Sequence, residues 1–367
     1  MRNFSWVMAI LWFLGGCGAE ASGRTGLRSL TVGEGFACGL DSGGAAWCWG
    51  MGKNGQLGTG LGEESMRSVA VAGDHRFVEL CAGYVHACGL DDGGVVWCWG
   101  ENWEGQLGNS SDQRRLEPTR VETSERFSKI ACGHQHTCAL GVNGGAWCWG
   151  FLGWGVSMDY YQMLTPTMVD PAVDLVRIEG KSQVLSVVDS QGRGRLIPDP
   201  TVCDPGDMND VNFGDDSPDP LRQNALWADL RLTQLCAGDR FACGLDAAGT
   251  WLCTGSMAWD GTCRFAPEPV HSGHFHGLVC ASNSVCALDE TGAVWCMGEN
   301  QWQVLGIDSA QETVTVPARV ATTRRFREVA INVRNQCALD GQGQAWCWGS
   351  FIYSNYDEIL TRPTVIQ

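Results

Sequence analysis

Small, apolar and polar positions follow a fixed order along Cys38-Gly-Leu-Asp-Ser-Gly-Gly-Ala-Ala-Trp-Cys-Trp-Gly50, and that order returns at 88–100 and 138–150, each time fifty residues on. Further copies at 243–255, 286–298 and 337–349 keep the two cysteines ten positions apart. A seventh copy, 186–198, lacks the cysteines and tryptophans but keeps Gly192. Pairing Cys38 with Cys48 places Gly39 opposite Trp47, Leu40 opposite Ala46 and Asp41 opposite Ala45, and leaves Ser42-Gly43-Gly44 as a three-residue hairpin loop. Such a loop runs through a type I turn into a residue with positive φ, which favours glycine. Glycine stands there in every copy, at 44, 94, 144, 192, 249, 292 and 343. Strand alternation then puts Cys and Leu on one face of the sheet and both tryptophans on the other. With two apolar faces, the hairpin must be packed between two neighbours. Sheets arranged radially meet that demand, so seven units of about fifty residues predict an all-β, seven-bladed β-propeller.

The same register sets the cysteine chemistry. The facing cysteines occupy a non-hydrogen-bonded site, where side chains approach most closely. Six disulfides are expected: Cys38 with Cys48, Cys88 with Cys98, Cys138 with Cys148, Cys243 with Cys253, Cys286 with Cys296, and Cys337 with Cys347. Cys81, Cys132, Cys236 and Cys280 precede their hairpins and read as small buried fillers. Cys203 and Cys263 lie outside the repeat, and a bridge between them is one option. Zinc is the rival reading for so many thiols, but C-x-x-C knuckles are absent.

Composition adds compartment and partner class. Nineteen cysteines argue for life outside a reducing cytosol. A net charge of −16 with no basic cluster along the chain argues against nucleic acid, whose phosphates demand Lys and Arg on one face. Residues 1–16 read as an export signal, with Arg2 as a minimal positive end and Phe4 to Leu14 as a short apolar run. It ends in Leu14-Gly-Gly-Cys17, which resembles the bacterial lipobox, so Cys17 is the expected site of lipidation and membrane anchoring. The alternative is an ordinary cleaved signal with an incidental cysteine. Residues 17–26 then form a linker, and 27–367 a single domain of units near 27–76, 77–126, 127–175, 176–232, 233–274, 275–325 and 326–367. Segment 198–221 interrupts unit four as an insertion. The closing segment Arg362-Pro-Thr-Val-Ile366 is expected to complete the sheet near the first unit and close the ring.

Taken together, V/I-x-x-G-x-x-H-x-x-A-L, G-x-x-W-x-W-G and Gly-Gln-Leu-Gly (55–58 and 105–108) resemble the regulator of chromosome condensation repeat family. The resemblance covers about residues 27–367, is strongest in units one to three and poorest in unit four. It implies a seven-bladed propeller that binds other macromolecules. An exported chain would not meet the small GTPase on which the family's eponymous exchange activity operates. Enzyme inhibition, as by the secreted β-lactamase inhibitor of this fold, is a further implied class.

Candidate sites follow from what the repeat does not absorb. Trp103 and Trp154 lie outside the hairpins and are expected on a binding face. Asp204, Asp207, Asn209, Asp210, Asp215 and Asp216 crowd oxygen ligands into the insertion, where Ca²⁺ is the cofactor they would suit. Their spacing breaks the EF-hand rule, and a solvated acidic loop is the alternative. His271, His274 and His276 invite a transition metal, against which stands an ordinary surface loop. His86 and His136 hold the repeat's own histidine position, which a structural hydrogen bond explains. No nucleophile elbow, zincin helix or phosphate loop is present. The expectation is an exported, non-enzymatic scaffold for a protein partner, with calcium- or metal-dependent activity in the loops of blades four and five as the alternative.

Overall fold

The computed structural model describes residues 26–152, 162–197, 227, 230–255, 264–271, 273–351 and 360–366. Seven antiparallel sheets make up the chain, six with four strands and one, the fourth, with three among the described residues. Each follows the order of the sequence from the axis outward. In the first blade the strands are Leu27–Gly33, Phe36–Asp41, Ala46–Gly50 and Ser65–Ala70. The fourth blade keeps its place in the ring with Leu175–Glu179, Leu185–Asp189 and Gly194–Ile197, although it has lost its cysteines and tryptophans. No helix among the described residues is long and apolar enough to cross a membrane.

The hairpin register is the one the repeat dictates. Cys38 pairs with Cys48, Gly39 with Trp47 and Leu40 with Ala46. All six expected hairpin disulfides form, with Cα atoms 4.0–4.2 Å apart. The seven turn glycines have φ between +74° and +94°. Their conformation also serves the next blade. The carbonyls of Gly44, Gly94, Gly192, Gly249, Gly292 and Gly343 accept the N–H that opens the following inner strand, at 2.8–3.1 Å.

Packing between blades uses the second tryptophan of each pair. Trp49, Trp99, Trp149 and Trp348 are buried. The Leu of Gly-Gln-Leu-Gly reaches into the next blade: Leu57 packs with Trp99, and Leu107 with Trp149. Trp99 Nε1 also donates to Gln56 O at 3.0 Å. The first tryptophan is only half-buried, and its indole N–H is held by the turn aspartate: Trp47 by Asp41, Trp97 by Asp91, Trp295 by Asp289 and Trp346 by Asp340, at 2.9–3.1 Å. In the first blade the other oxygen of Asp41 accepts the N–H groups of Gly43 and Ala45.

Two expectations are corrected. Cys81, Cys132, Cys236 and Cys280 are not isolated fillers, because disulfides join Cys81 to Cys132 and Cys236 to Cys280, each across a blade boundary. Neighbouring inner strands converge on the axis, which brings their cysteines within bonding reach. The C-terminal strand Leu360–Val365 pairs with Ala345–Gly349 and so completes the seventh blade, not the first. The first blade already has four strands of its own, and the ring closes by side-to-side packing. Leu27, Leu30 and Val32 share a core with Leu339 and Ala345, and Leu27 N donates to Gly343 O at 3.1 Å. Eight disulfides among the described residues fit an oxidising compartment.

Candidate functional site

Seven inner strands surround a cavity of about 560 Å³ on the axis, and its polar lining includes Glu79, Lys129, Glu179, Lys181, Gln234 and Glu328. Three of these side chains are clasps. Glu79 Oε2 accepts Ile130 N at 3.3 Å, Gln234 Oε1 accepts Leu278 N at 3.0 Å, and Glu328 Oε1 accepts Leu30 N at 2.9 Å. Each reaches from one inner strand to the exposed backbone of the next, so a polar group supplies the hydrogen bond that the inner edge would otherwise lack. Burial pushes Glu328 up to about 7 despite the N–H it accepts, and it raises Glu79 as well.

Lys181 is the exception in the repeat. It stands where other blades have Gly33, Gly83, Gly133 or Gly238, and its Nζ crosses the channel to Val32 O at 2.8 Å and Ala82 O at 2.6 Å. Burial lowers its pKa to about 8, against the pull of Glu179, while burial raises Glu179 to about 7. This end of the channel is thus tied by blade four to blades one and two.

Above the inner strands, His86 and His136 are wholly buried. His86 Nε2 lies 2.9 Å from Thr137 Oγ1, which itself donates to Gln106 O, so the expected structural hydrogen bond exists there. His136 is held less firmly, with the backbone of Phe151 as the polar neighbour of its ring. The two imidazoles fill the space over Gly83 and Gly133, as Phe36 and Phe241 do over Gly33 and Gly238. The exchange of histidine for phenylalanine two residues before the hairpin cysteine stands in the aligned repeats, but the glycine that each ring covers emerges only in the fold.

Trp103 sits on the loop between the third and outer strands of blade two and is 69% exposed. Glu104 N donates to Gln106 Oε1 at 2.9 Å, and the Gln162 amide donates to Trp103 O, so the backbone beneath the indole is fixed. Trp154 lies outside the described residues, as do Cys17, Cys203, Cys263 and the acidic positions Asp204, Asp207, Asn209, Asp210, Asp215 and Asp216. His271 packs against Trp295 and Phe275, with ring centroids 4.7 and 5.1 Å away, and His274 approaches Ala248 O. Among the described residues, the one group whose ligand atoms converge is Cys81, Cys88 and Cys132, all in disulfides. The three histidines near 274 are therefore not brought together as ligands.

Models of the regulator of chromosome condensation (RCC1) repeat match residues 93–140 and 77–106. Residues 77–140 thus carry RCC1 repeats. The seven blades agree with that assignment, and RCC1-type propellers are among its structural neighbours. Prp20p of Saccharomyces cerevisiae is 19% identical with a TM-score of 0.71, the match covering 89% of this chain and 87% of that one. Human WBSCR16 is 18% identical at 0.69, covering 88% of each chain. The ectodomain of the Physcomitrella patens receptor kinase CR4 is 18% identical at 0.58, covering 89% of this chain and 75% of that one. At such identities the likeness describes the fold. No curated protein sequence matches the chain.

Proposed function

We propose that this RCC1-repeat propeller is an exported, lipid-anchored scaffold that binds a protein partner through the loops of one face and performs no catalysis itself. The observation that carries the reading is Trp103, a large aromatic 69% exposed on a loop whose backbone is pinned from both sides. A rigid exposed indole is the kind of side chain that supplies binding energy at an interface centre. Prp20p supports the class of function, since its structure is described with its binding to Gsp1p and histones. Export is supported by the apolar leader ending at Cys17 and by the density of disulfides.

The test is a matched pair of captures from native envelope extracts, using wild type and Trp103→Ser. The reading expects one protein retained in stoichiometric amount by wild type and lost with the variant, both baits having the same thermal transition. The Trp103 side chain is exposed, so its replacement changes stability by no more than about 0.5 kcal/mol. Retention of the same protein by both baits would move the contact off this loop, and no saturable partner for either would overturn the scaffold reading.

A further inference from the structure

Charged side chains of both signs line the axial cavity: Glu79, Glu179 and Glu328 against Lys129, Lys181 and Arg327, so the lining carries no net charge. Four of them are engaged by the fold. Glu79 and Glu328 accept Ile130 N and Leu30 N. Lys181 donates to Val32 O and Ala82 O, and Arg327 to Leu27 O, Arg28 O and Asp340 O. Lys129 and the carboxylate of Glu179 remain. Among the described residues, neither makes a hydrogen bond or an ion pair, with the other or with any third group.

The clasps explain why Lys129 holds nothing. Glu79, Gln234 and Glu328 are each the third residue of an inner strand, and each accepts the N–H of the fourth residue in the next blade. Lys129 takes that third position in blade three, facing Ile178 in blade four. An ammonium group has no lone pair with which to accept an N–H. Ile178 pairs with Val187 as Ile130 does with Ala139 and Leu30 with Gly39, so its N–H is turned off the sheet towards the channel as theirs are. Two donors thus face this boundary without an acceptor, and a carboxylate with its two oxygens complements them. Glu179 is the next residue along the same strand. Burial raises it to about 7, with Lys181, Arg177 and Lys129 opposing that rise from a distance and Glu79 adding to it. An ammonium ion beside Glu179 offsets the cost of holding its charge there.

We propose that the axial cavity binds a small zwitterion, an amino acid or short peptide, whose carboxylate is taken by Lys129 and Ile178 N and whose ammonium is taken by Glu179. The volume of about 560 Å³ lies within the roughly 300–1,000 Å³ of small-molecule sites. Lys181 bars the channel at Val32 and Ala82, one residue beyond Thr31 and Cys81, where the lining of blades one and two stops. The ligand therefore enters by the mouth beside the hairpin turns, where the inner strands begin, and the loop of Trp103 on the other face takes no part. A ligand with no net charge is not repelled by the chain's overall −16.

Three peptides with one skeleton separate the two charges. Alanyl-alanine carries both, its N-acetyl form only the carboxylate, and its C-terminal amide only the ammonium. Calorimetric titration of the full chain is expected to show saturable binding of alanyl-alanine, with each blocked peptide weaker by about 10-fold or more. Lys129→Gln should abolish the preference over the amide, and Glu179→Gln the preference over the acetylated form. Lys53→Gln, on an exposed loop of the opposite face, should change nothing. Thermal unfolding checks that each variant is folded, and Lys129 is exposed, so its variant reports whatever the loss of Glu179 does to the fold. Absence of saturable alanyl-alanine binding up to about 10 mM, equal affinity for the three peptides, or preferences that survive both substitutions overturns the proposal.

Discussion

Cys81 and Cys132 lie fifty-one residues apart on neighbouring inner strands, and a disulfide joins them with their Cα atoms 5.4 Å apart. The bond staples blade two to blade three at the wall of the channel, as Cys236–Cys280 staples five to six. It closes a much longer loop than a hairpin bond does. In the chain-entropy model a loop of that size contributes up to roughly 4 kcal/mol, against roughly 2.7 kcal/mol for ten residues. Cys88 Sγ lies within 4.8 Å of both Cys81 and Cys132, so a single replacement would invite re-pairing and both cysteines must go. Replacing Cys81 and Cys132 together by alanine should lower the unfolding midpoint more than replacing Cys38 and Cys48 together. Equal midpoints would show that ring closure already holds blades two and three together without the bond.

The hairpins were legible because their signals are local. Turn length, glycine position and facing cysteines all fall within thirteen residues, and together they set the register. The inter-blade bonds were not, since Cys81 and Cys132 meet only after two strands converge. Lys181 stands where blades one, two, three and five have glycine, and that its ammonium spans the channel to Val32 and Ala82 follows only from the closed ring. The role of Asp41 as holder of Trp47 was visible in principle, as an aspartate six residues before the tryptophan in several copies, but the spacing means nothing until the turn is drawn.

Gly44 offers a sharp test of the turn. Its φ is +80°, and a Cβ there would meet Phe77 O at 2.8 Å, the carbonyl of the strand it clasps. Gly43, one residue earlier, has only Asp41 Oδ1 at 3.4 Å. Gly44→Ala should therefore destabilise by about 1–3 kcal/mol, while Gly43→Ala should change stability by no more than about 0.5–1 kcal/mol. Chemical denaturation of the two variants decides it. Similar losses would mean that the hairpin tolerates a different turn.

Lys181→Met keeps an unbranched apolar stem and removes the ammonium that makes both hydrogen bonds. Val32 O and Ala82 O would lose a charged partner. Water in the channel can replace much of it, so the expected loss is about 1 kcal/mol, read as a lower urea midpoint. A midpoint at or above that of wild type would show that burial of the ammonium, whose pKa is already lowered to about 8, outweighs its hydrogen bonds.

Acid response follows from the two buried imidazoles. Burial lowers His86 from 6.5 to about 3, with His136, Lys181 and His134 adding to the effect, and burial lowers His136 to about 4. A folded pKa below the unfolded one means that the stabilisation is complete above 6.5 and is lost progressively as pH falls towards 4. Glu179 and Glu328 act in the opposite sense. Burial raises both to about 7, so the folded chain holds their protons more tightly and gains stability as pH falls from 7 to 4.5. The two trends offset each other between 4.5 and 6.5, and below 4.5 the loss from histidine continues, joined below 3.8 by Asp189 and Asp289, whose carboxyls are held low, against their burial, by the hydrogen bonds they accept. The chain should therefore show a broad plateau with a limb of falling stability on its acid side. Phe36 and Phe241 show that the pocket accepts a phenyl ring. His86→Phe with His136→Phe should then raise the melting temperature at about pH 4 relative to wild type, with a much smaller change near neutrality, where the imidazoles are neutral in both states. If variant and wild type lose stability together on acidification, the limb arises from other groups and these histidines serve packing alone.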